Sequence, residues 1–143
     1  MSRHVSSIFC DDIRHELGNK QSYMGVYFGS MQLPNFPIIL PRLCITLAIQ
    51  TPKERPFKKL HIKILKDQSV LREALIPDEA LEESDPRTGP PDPDRNDRIF
   101  VFNAAFAFSP FPIDEPTTIR IRVQTEDEEL KAPGLRIEAA VQP

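Results

Sequence analysis

Glycine is scarce in this chain, with five among 143 residues. Backbone cradles for phosphate need several glycines in a short run, and no glycine-rich phosphate loop is present. G-x-S-x-G, H-E-x-x-H and C-x-x-C are also missing, which removes the common nucleophile-elbow, zinc-hydrolase and dithiol signatures. Cysteine is limited to Cys10 and Cys44. "MSRHVSSIFCDD" (1–12) shows no sustained apolar core before it turns acidic, so a reducing, cytoplasmic setting is expected. Both thiols then read as free and buried, with a Cys10–Cys44 disulfide as the alternative. No apolar run approaches the ~20 residues that span a bilayer, so no membrane segment is expected. A net charge of −3 supplies no general attraction to nucleic acid or anionic lipid. The locally basic "KERPFKKLHIKILK" (53–66) has acidic neighbours and reads as a solvated strand, so no nucleic-acid partner is expected.

Proline, by contrast, is abundant, at 15 residues. It locks φ and lacks an N–H, so it is excluded from helix interiors and central strands. Here it falls between apolar runs, at Pro34, Pro37, Pro41, Pro52, Pro56, Pro77, Pro110, Pro112, Pro116 and Pro133. Little room remains for helices. Between the prolines the hydrophobic period is two. Leu43, Ile45, Leu47 and Ile49 alternate with Cys44, Thr46, Ala48 and Gln50; Ile119, Ile121 and Val123 alternate with Arg120, Arg122 and Gln124. The same holds for Leu60, Ile62 and Ile64, and for Leu135, Ile137, Ala139 and Val141. Such alternation marks half-buried strands.

About eight strands are predicted, near 5–14, 21–31, 42–50, 58–66, 70–76, 99–108, 117–125 and 135–142. Gly18-Asn19, "KDQS" (66–69) and "EDEE" (126–129) are expected as tight hairpin turns. The fold expected is one all-β domain over residues 1–143, an antiparallel β-sandwich of immunoglobulin-like or C2-like type. A closed barrel is the alternative.

Five chemically active side chains, Cys10, Asp11, Asp12, His15 and Glu16, crowd the first strand. Strand geometry separates them. Neighbouring side chains point to opposite faces, so Asp11 and Asp12 cannot work as paired carboxylates. Cys10 and His15 face oppositely and lie about 16 Å apart along the strand, too far for a nucleophile and its base. Ile8 and Cys10 share one parity and Ile13 and Leu17 the other. Turning all four inward requires a β-bulge at Asp11-Asp12, whose carboxylates would accept freed backbone N–H groups. A short helix capped by Asp12 is the runner-up. Asp11, Asp12, Gly18 and Asn19 are therefore assigned structural roles.

"PDEALEESDPRTGPPDPDRNDR" (77–98) carries eight acids against three arginines. Asp78 can start one or two helical turns; the remainder is too proline-rich for regular structure, and a connection this long is usually functional or disordered. Glu82, Glu83, Asp85, Arg87, Asp92, Asp94 and Arg95 are the candidate partner-contacting residues within it. Asp92, Asp94 and Asp97 are weak metal candidates. They resemble the opening of a calcium loop, but Asp97 stands where that loop needs glycine and Asn103 where it needs glutamate. No metal or other cofactor is expected.

"IFVFNAAFAF" (99–108) is apolar on both faces. Phe100, Phe102, Phe106 and Phe108 flank Ala104 on one side, while Ile99, Val101, Asn103, Ala105 and Ala107 form the other. If it lies beside residues 42–50, then Asn103, Ala105, Ala107, Thr46 and Ala48 form a flat uncharged patch. Such a patch suits cover by another element or by a second chain, including a homodimer mate.

The run Phe9-Cys10-Asp11-Asp12-Ile13-Arg14, the turn Gly18-Asn19-Lys20 and the strand start Gly25-Val26-Tyr27 resemble a family of small bacterial and prophage-associated proteins of unknown function. The likeness covers residues 8–28 and continues as pattern near "SPFPIDEP" (109–116) and the last two strands; the 77–98 loop is an addition to it. The resemblance implies a β-sandwich in a bacterial or phage setting and no activity. The expectation is a non-enzymatic protein–protein interaction module, a bacterial or phage-encoded accessory factor. A calcium- or small-ligand-binding sandwich is the first alternative, and a small enzyme using Cys10 and Asp12 the second.

Overall fold

A computed structural model describes residues 2–83 and 99–141. The elements are β1 (His4–Glu16), β2 (Lys20–Tyr27), β3 (Ser30–Leu33), β4 (Ile38–Leu40), β5 (Leu43–Pro52), β6 (Leu60–Lys66) and β7 (Ser69–Leu75). They continue with α1 (Asp78–Glu83), β8 (Ile99–Phe108), β9 (Phe111–Ile113), β10 (Thr117–Thr125) and β11 (Glu129–Ala139). One sheet has the order β2-β1-β5-β8, the other β3-β11-β10-β6-β7, and β4 pairs with β9.

Within these orders, β1-β5-β8 and β11-β10-β6-β7 follow the A-B-E and G-F-C-C′ arrangement of an immunoglobulin-type sandwich. β2 is added outside the first strand. β3 runs parallel to β11, so the second sheet is mixed and the sandwich is not wholly antiparallel as expected. A parallel neighbour cannot be reached by a hairpin and needs a crossover. Here that crossover is the whole chain from β4 to β10, while Gly29 (φ 83) turns the chain from β2 in the first sheet to β3 in the second, and its carbonyl accepts the Arg136 N–H at 3.0 Å.

The same glycine splits the predicted 21–31 strand into β2 and β3. β4 and β9 are three-residue strands inside segments whose prolines read as turns. β11 starts at Glu129, earlier than the expected 135, and runs through Pro133. That proline sits where the β10–β11 register shifts between Ile119 and Ile121. A bulge leaves a residue unpaired, so a missing N–H does no harm there. Gly134 beside it has no room for a Cβ, which would strike the Ile119 carbonyl oxygen.

The period-two faces become the core. Leu43, Ile45, Leu47 and Ile49 meet Leu60, Ile62, Ile64, Ile119, Ile121, Val123, Leu135 and Ile137 between the sheets. Each fully buried aliphatic side chain of this size contributes about 1.5–3 kcal/mol. Val141, read as an inward position, lies beyond β11 and is exposed. All three predicted hairpins form: Gly18 and Asn19 both take positive φ, Lys66 pairs with Ser69, and Gln124 with Glu129.

The first strand departs from the prediction. The β1–β2 register is constant from Phe9↔Tyr27 to Glu16↔Lys20, so no bulge lies at Asp11-Asp12. The irregularity is on the other strand, at Gly25 (φ 68), opposite Asp11. Nor do Ile8, Cys10, Ile13 and Leu17 all face the core: Ile8 is 36% and Leu17 93% exposed, and Phe9 is the inward residue. The reason is that β1 leaves β5 after Cys10↔Cys44 and continues as a hairpin arm with β2 alone. Beyond that point there is no second sheet for Ile13 and Leu17 to be pressed against. Of the two carboxylates only Asp12 takes a backbone N–H, that of Ile13 at 2.9 Å, while Asp11 accepts the Tyr27 side-chain hydroxyl.

One polar cluster has no local signal in the sequence, because the partners of Arg3 lie 48 to 123 positions away from it. Arg3, buried at the start of the chain, donates to both carboxylate oxygens of Glu126, to Thr51 at 3.0 Å, and to the carbonyls of Arg55 and Pro56. It ties the N-terminal segment to the β5–β6 connection and the β10–β11 turn.

Candidate functional site

The outward face of the first sheet is set by strand register. Its rows are Val26–Cys10–Cys44–Ala107, Ile8–Thr46–Ala105, Ser6–Ala48–Asn103 and His4–Gln50–Val101. The five predicted interface residues, Thr46, Ala48, Asn103, Ala105 and Ala107, are thereby brought together. They form a surface with no acid, lysine or arginine. Asn103 and Ala105 are exposed, Ala48 and Ala107 half-buried, and Thr46 buried. Ile8 and Ser6 of β1 complete the patch.

The patch is the floor of a groove of about 570 Å³ whose wall is the β1–β2 arm. Ser6, Ile8, Thr46, Ala48, Asn103 and Ala105 line the floor, and His15, Glu16, Asn19, Lys20, Gln21 and Tyr23 the wall. Hydrogen bonds stiffen that wall: Ser22 donates to Glu16 at 2.9 Å, and Gln21 Nε2 lies 3.3 Å from His15 Nδ1. Arg42, just before β5, lies beside the Cys10–Cys44 row of the same sheet. Its Nε lies 3.1 Å from Asp12 Oδ1 and 3.3 Å from Cys44 Sγ. The result is a small, uncharged floor with two hydroxyls, Ser6 and Thr46, and one amide, Asn103, bordered by a charged, polar rim.

No paired nucleophile and base forms there. Cys10 and Cys44 are adjacent, fully buried and unlinked. Burial pushes the Cys10 thiol up to about 11, and the neighbouring Cys44 and Asp11 push the same way. A thiol in that state is protonated at neutral pH and unreactive. Alkylating reagents are therefore expected to leave both cysteines unmodified in the native protein and to label both after denaturation. Rapid native labelling of Cys10 would contradict this burial. His15 lies on the arm, away from Cys10, as strand geometry requires.

Among the described residues, no group of three or more His, Cys, Asp or Glu is placed to hold a metal ion. Also among the described residues, no helix is long and apolar enough to cross a membrane. Of the acidic partner loop, Glu82 is exposed on α1 and Glu83 ends that helix. Asp85, Arg87, Asp92, Asp94, Arg95 and Asp97 lie outside the described residues. Asp78 starts α1 as expected, and Leu81 anchors it in the core beside a 340 Å³ depression lined by Phe57 and Phe100. The sequence showed the floor through its second uncharged parity. It held no signal for the wall, because nothing local says that the arm returns over its own sheet.

Fold and surface together define an all-β, immunoglobulin-type sandwich with an open groove on one outer face. The chain belongs to the Family of unknown function (DUF6941), whose model matches residues 5–138. No curated protein matches the chain. No solved structure matches it either.

Proposed function

We propose that this protein is a non-enzymatic interaction module that receives a segment of a partner protein in the groove between the β1–β2 arm and the outer face of β5 and β8. The observation that carries the reading is the uncharged floor of small side chains, open to solvent and rimmed by Glu16, Lys20 and His15. Interface centres are depleted in charge and ringed by polar groups in this way. The N-terminal resemblance supports a bacterial or phage-encoded accessory factor acting in the cytoplasm.

Affinity capture from a bacterial lysate tests this with Ser6→Glu and Ala48→Glu, which place charge on the floor without touching the core. A protein retained by the wild type should bind roughly tenfold or more weakly to either variant. Equal recovery on all three baits would rule the groove out as the contact surface.

A further inference from the structure

Among the described residues β8 is an edge strand, paired with β5 on one side only. The other edges of the two main sheets carry the usual protections against strand pairing. β2 has Lys20 and the Gly25 kink, β7 has Arg72 and Glu73, and β3 is only four residues long. β8 has ten residues and no charge, proline or glycine.

Its inward side chains read Phe100, Phe102, Ala104, Phe106, Phe108, the same in both directions about Ala104. Phe100 and Phe108 are buried at 5% and 8%, whereas Phe102 and Phe106 are only partly covered, at the margin of the core. Arg72 of β7 donates to the Ala107 carbonyl at 3.0 Å, so that carbonyl faces the free edge and not β5. By alternation, Val101, Asn103 and Ala105 also direct their N–H and C=O groups to the free edge.

We propose that β8 pairs antiparallel with β8 of a second copy of this chain, about a two-fold axis through Ala104. In that register Phe100 stands opposite the second copy's Phe108, and Phe102 opposite its Phe106. Asn103 exchanges backbone hydrogen bonds with the second copy's Ala105, and Val101 with its Ala107. The edge-facing groups are satisfied, the half-covered phenylalanines are closed off, and the Ala107 oxygen keeps a lone pair for Arg72. The axis runs perpendicular to the sheet, so both grooves open on the same side. This goes beyond the groove reading and does not depend on it, since Ser6 and Ala48 lie off β8.

The test is the native mass of the purified full chain, measured by light scattering, for wild type and Ala105→Pro. The Ala105 N–H faces the free edge, so proline costs the monomer no hydrogen bond but blocks the pairing. The wild type should show the mass of two chains, and Ala105→Pro that of one, with a melting temperature within a few degrees of the wild-type monomer. A monomeric wild type, or a variant that stays dimeric, overturns the proposal. Hydrogen exchange on the wild type decides independently of any variant. The amides of residues 101, 103, 105 and 107 should be protected at high protein concentration and exchange faster on dilution. Protection that does not change on dilution means that the chain itself covers this edge, and likewise overturns it.

Discussion

Glu126→Ala is expected to destabilise the protein by about 3–5 kcal/mol, the range for removing one partner of a buried ion pair. The loss strands a guanidinium whose side chain is 1% exposed. Arg3 would keep its bonds to Thr51 at 3.0 Å and to the carbonyls of Arg55 and Pro56 at 3.1 and 3.2 Å, and its place 4.7 Å over the Phe57 ring. None of these neutralises its charge. The Lys58 N–H, which donates to Glu126 at 2.6 Å, would also lose its acceptor. Arg3→Ala should cost less, because the Glu126 side chain is 19% exposed and can turn to water. Removing both charges together, as Arg3→Met with Glu126→Leu, should recover much of the loss. Denaturant titration of the wild type, the two single variants and the double variant measures these costs. Single-variant costs below about 1 kcal/mol would show that the pair behaves like an ordinary surface ion pair.

The pair also predicts an acid response. Burial raises the Glu126 carboxyl, but the Arg3 hydrogen bond and charge, with the Lys58 N–H, outweigh it and hold it below its ordinary 4.5. A depressed folded value means stability that is full above the unfolded value and lost as pH falls through the folded one. Wild-type stability should therefore fall below about pH 4.5 more steeply than that of Glu126→Ala. Parallel acid slopes would exclude Glu126 as a contributor.

Gly25→Ala is expected to cost roughly 2–3 kcal/mol and to disturb the arm that walls the groove. A left-handed backbone costs an L-residue about 1–2 kcal/mol, and Gly25 has φ 68. An added Cβ would also overlap the Asp11 carboxylate, displacing the acceptor of the Tyr27 hydroxyl. Losing that hydrogen bond adds about 1 kcal/mol. Asp11→Ala alone forfeits the hydrogen bond yet opens the space. The double variant should therefore be less costly than the sum of the two singles. Strict additivity in thermal or denaturant unfolding would show that the overlap is not the cause.

Strand parity alone sets Cys10 apart from His15 and Asp11 apart from Asp12, and the regular β1 register keeps them so. The expected bulge was placed on the wrong strand. Asp11 accommodates an irregularity that belongs to Gly25, a residue fourteen positions away in sequence and opposite it in the hairpin. Arg3 and Glu126 were unreadable for a related reason: each is an ordinary surface type, and only the meeting of three distant connections buries them.

Alternation along β5, β6 and β10 determined which of their side chains enter the core, because the side-chain period of a strand is local and needs no partner. It also determined that β5 and β8 each have an uncharged second face. Their pairing, Thr46 against Ala105 and Ala48 against Asn103, was decided by tertiary structure. So was the return of the arm over that face, and so was the position of β8 at an open edge. Strand order and arm direction depend on which distant segments close on one another. A pattern of period two is satisfied equally well by many such closures, and packing in three dimensions selects one.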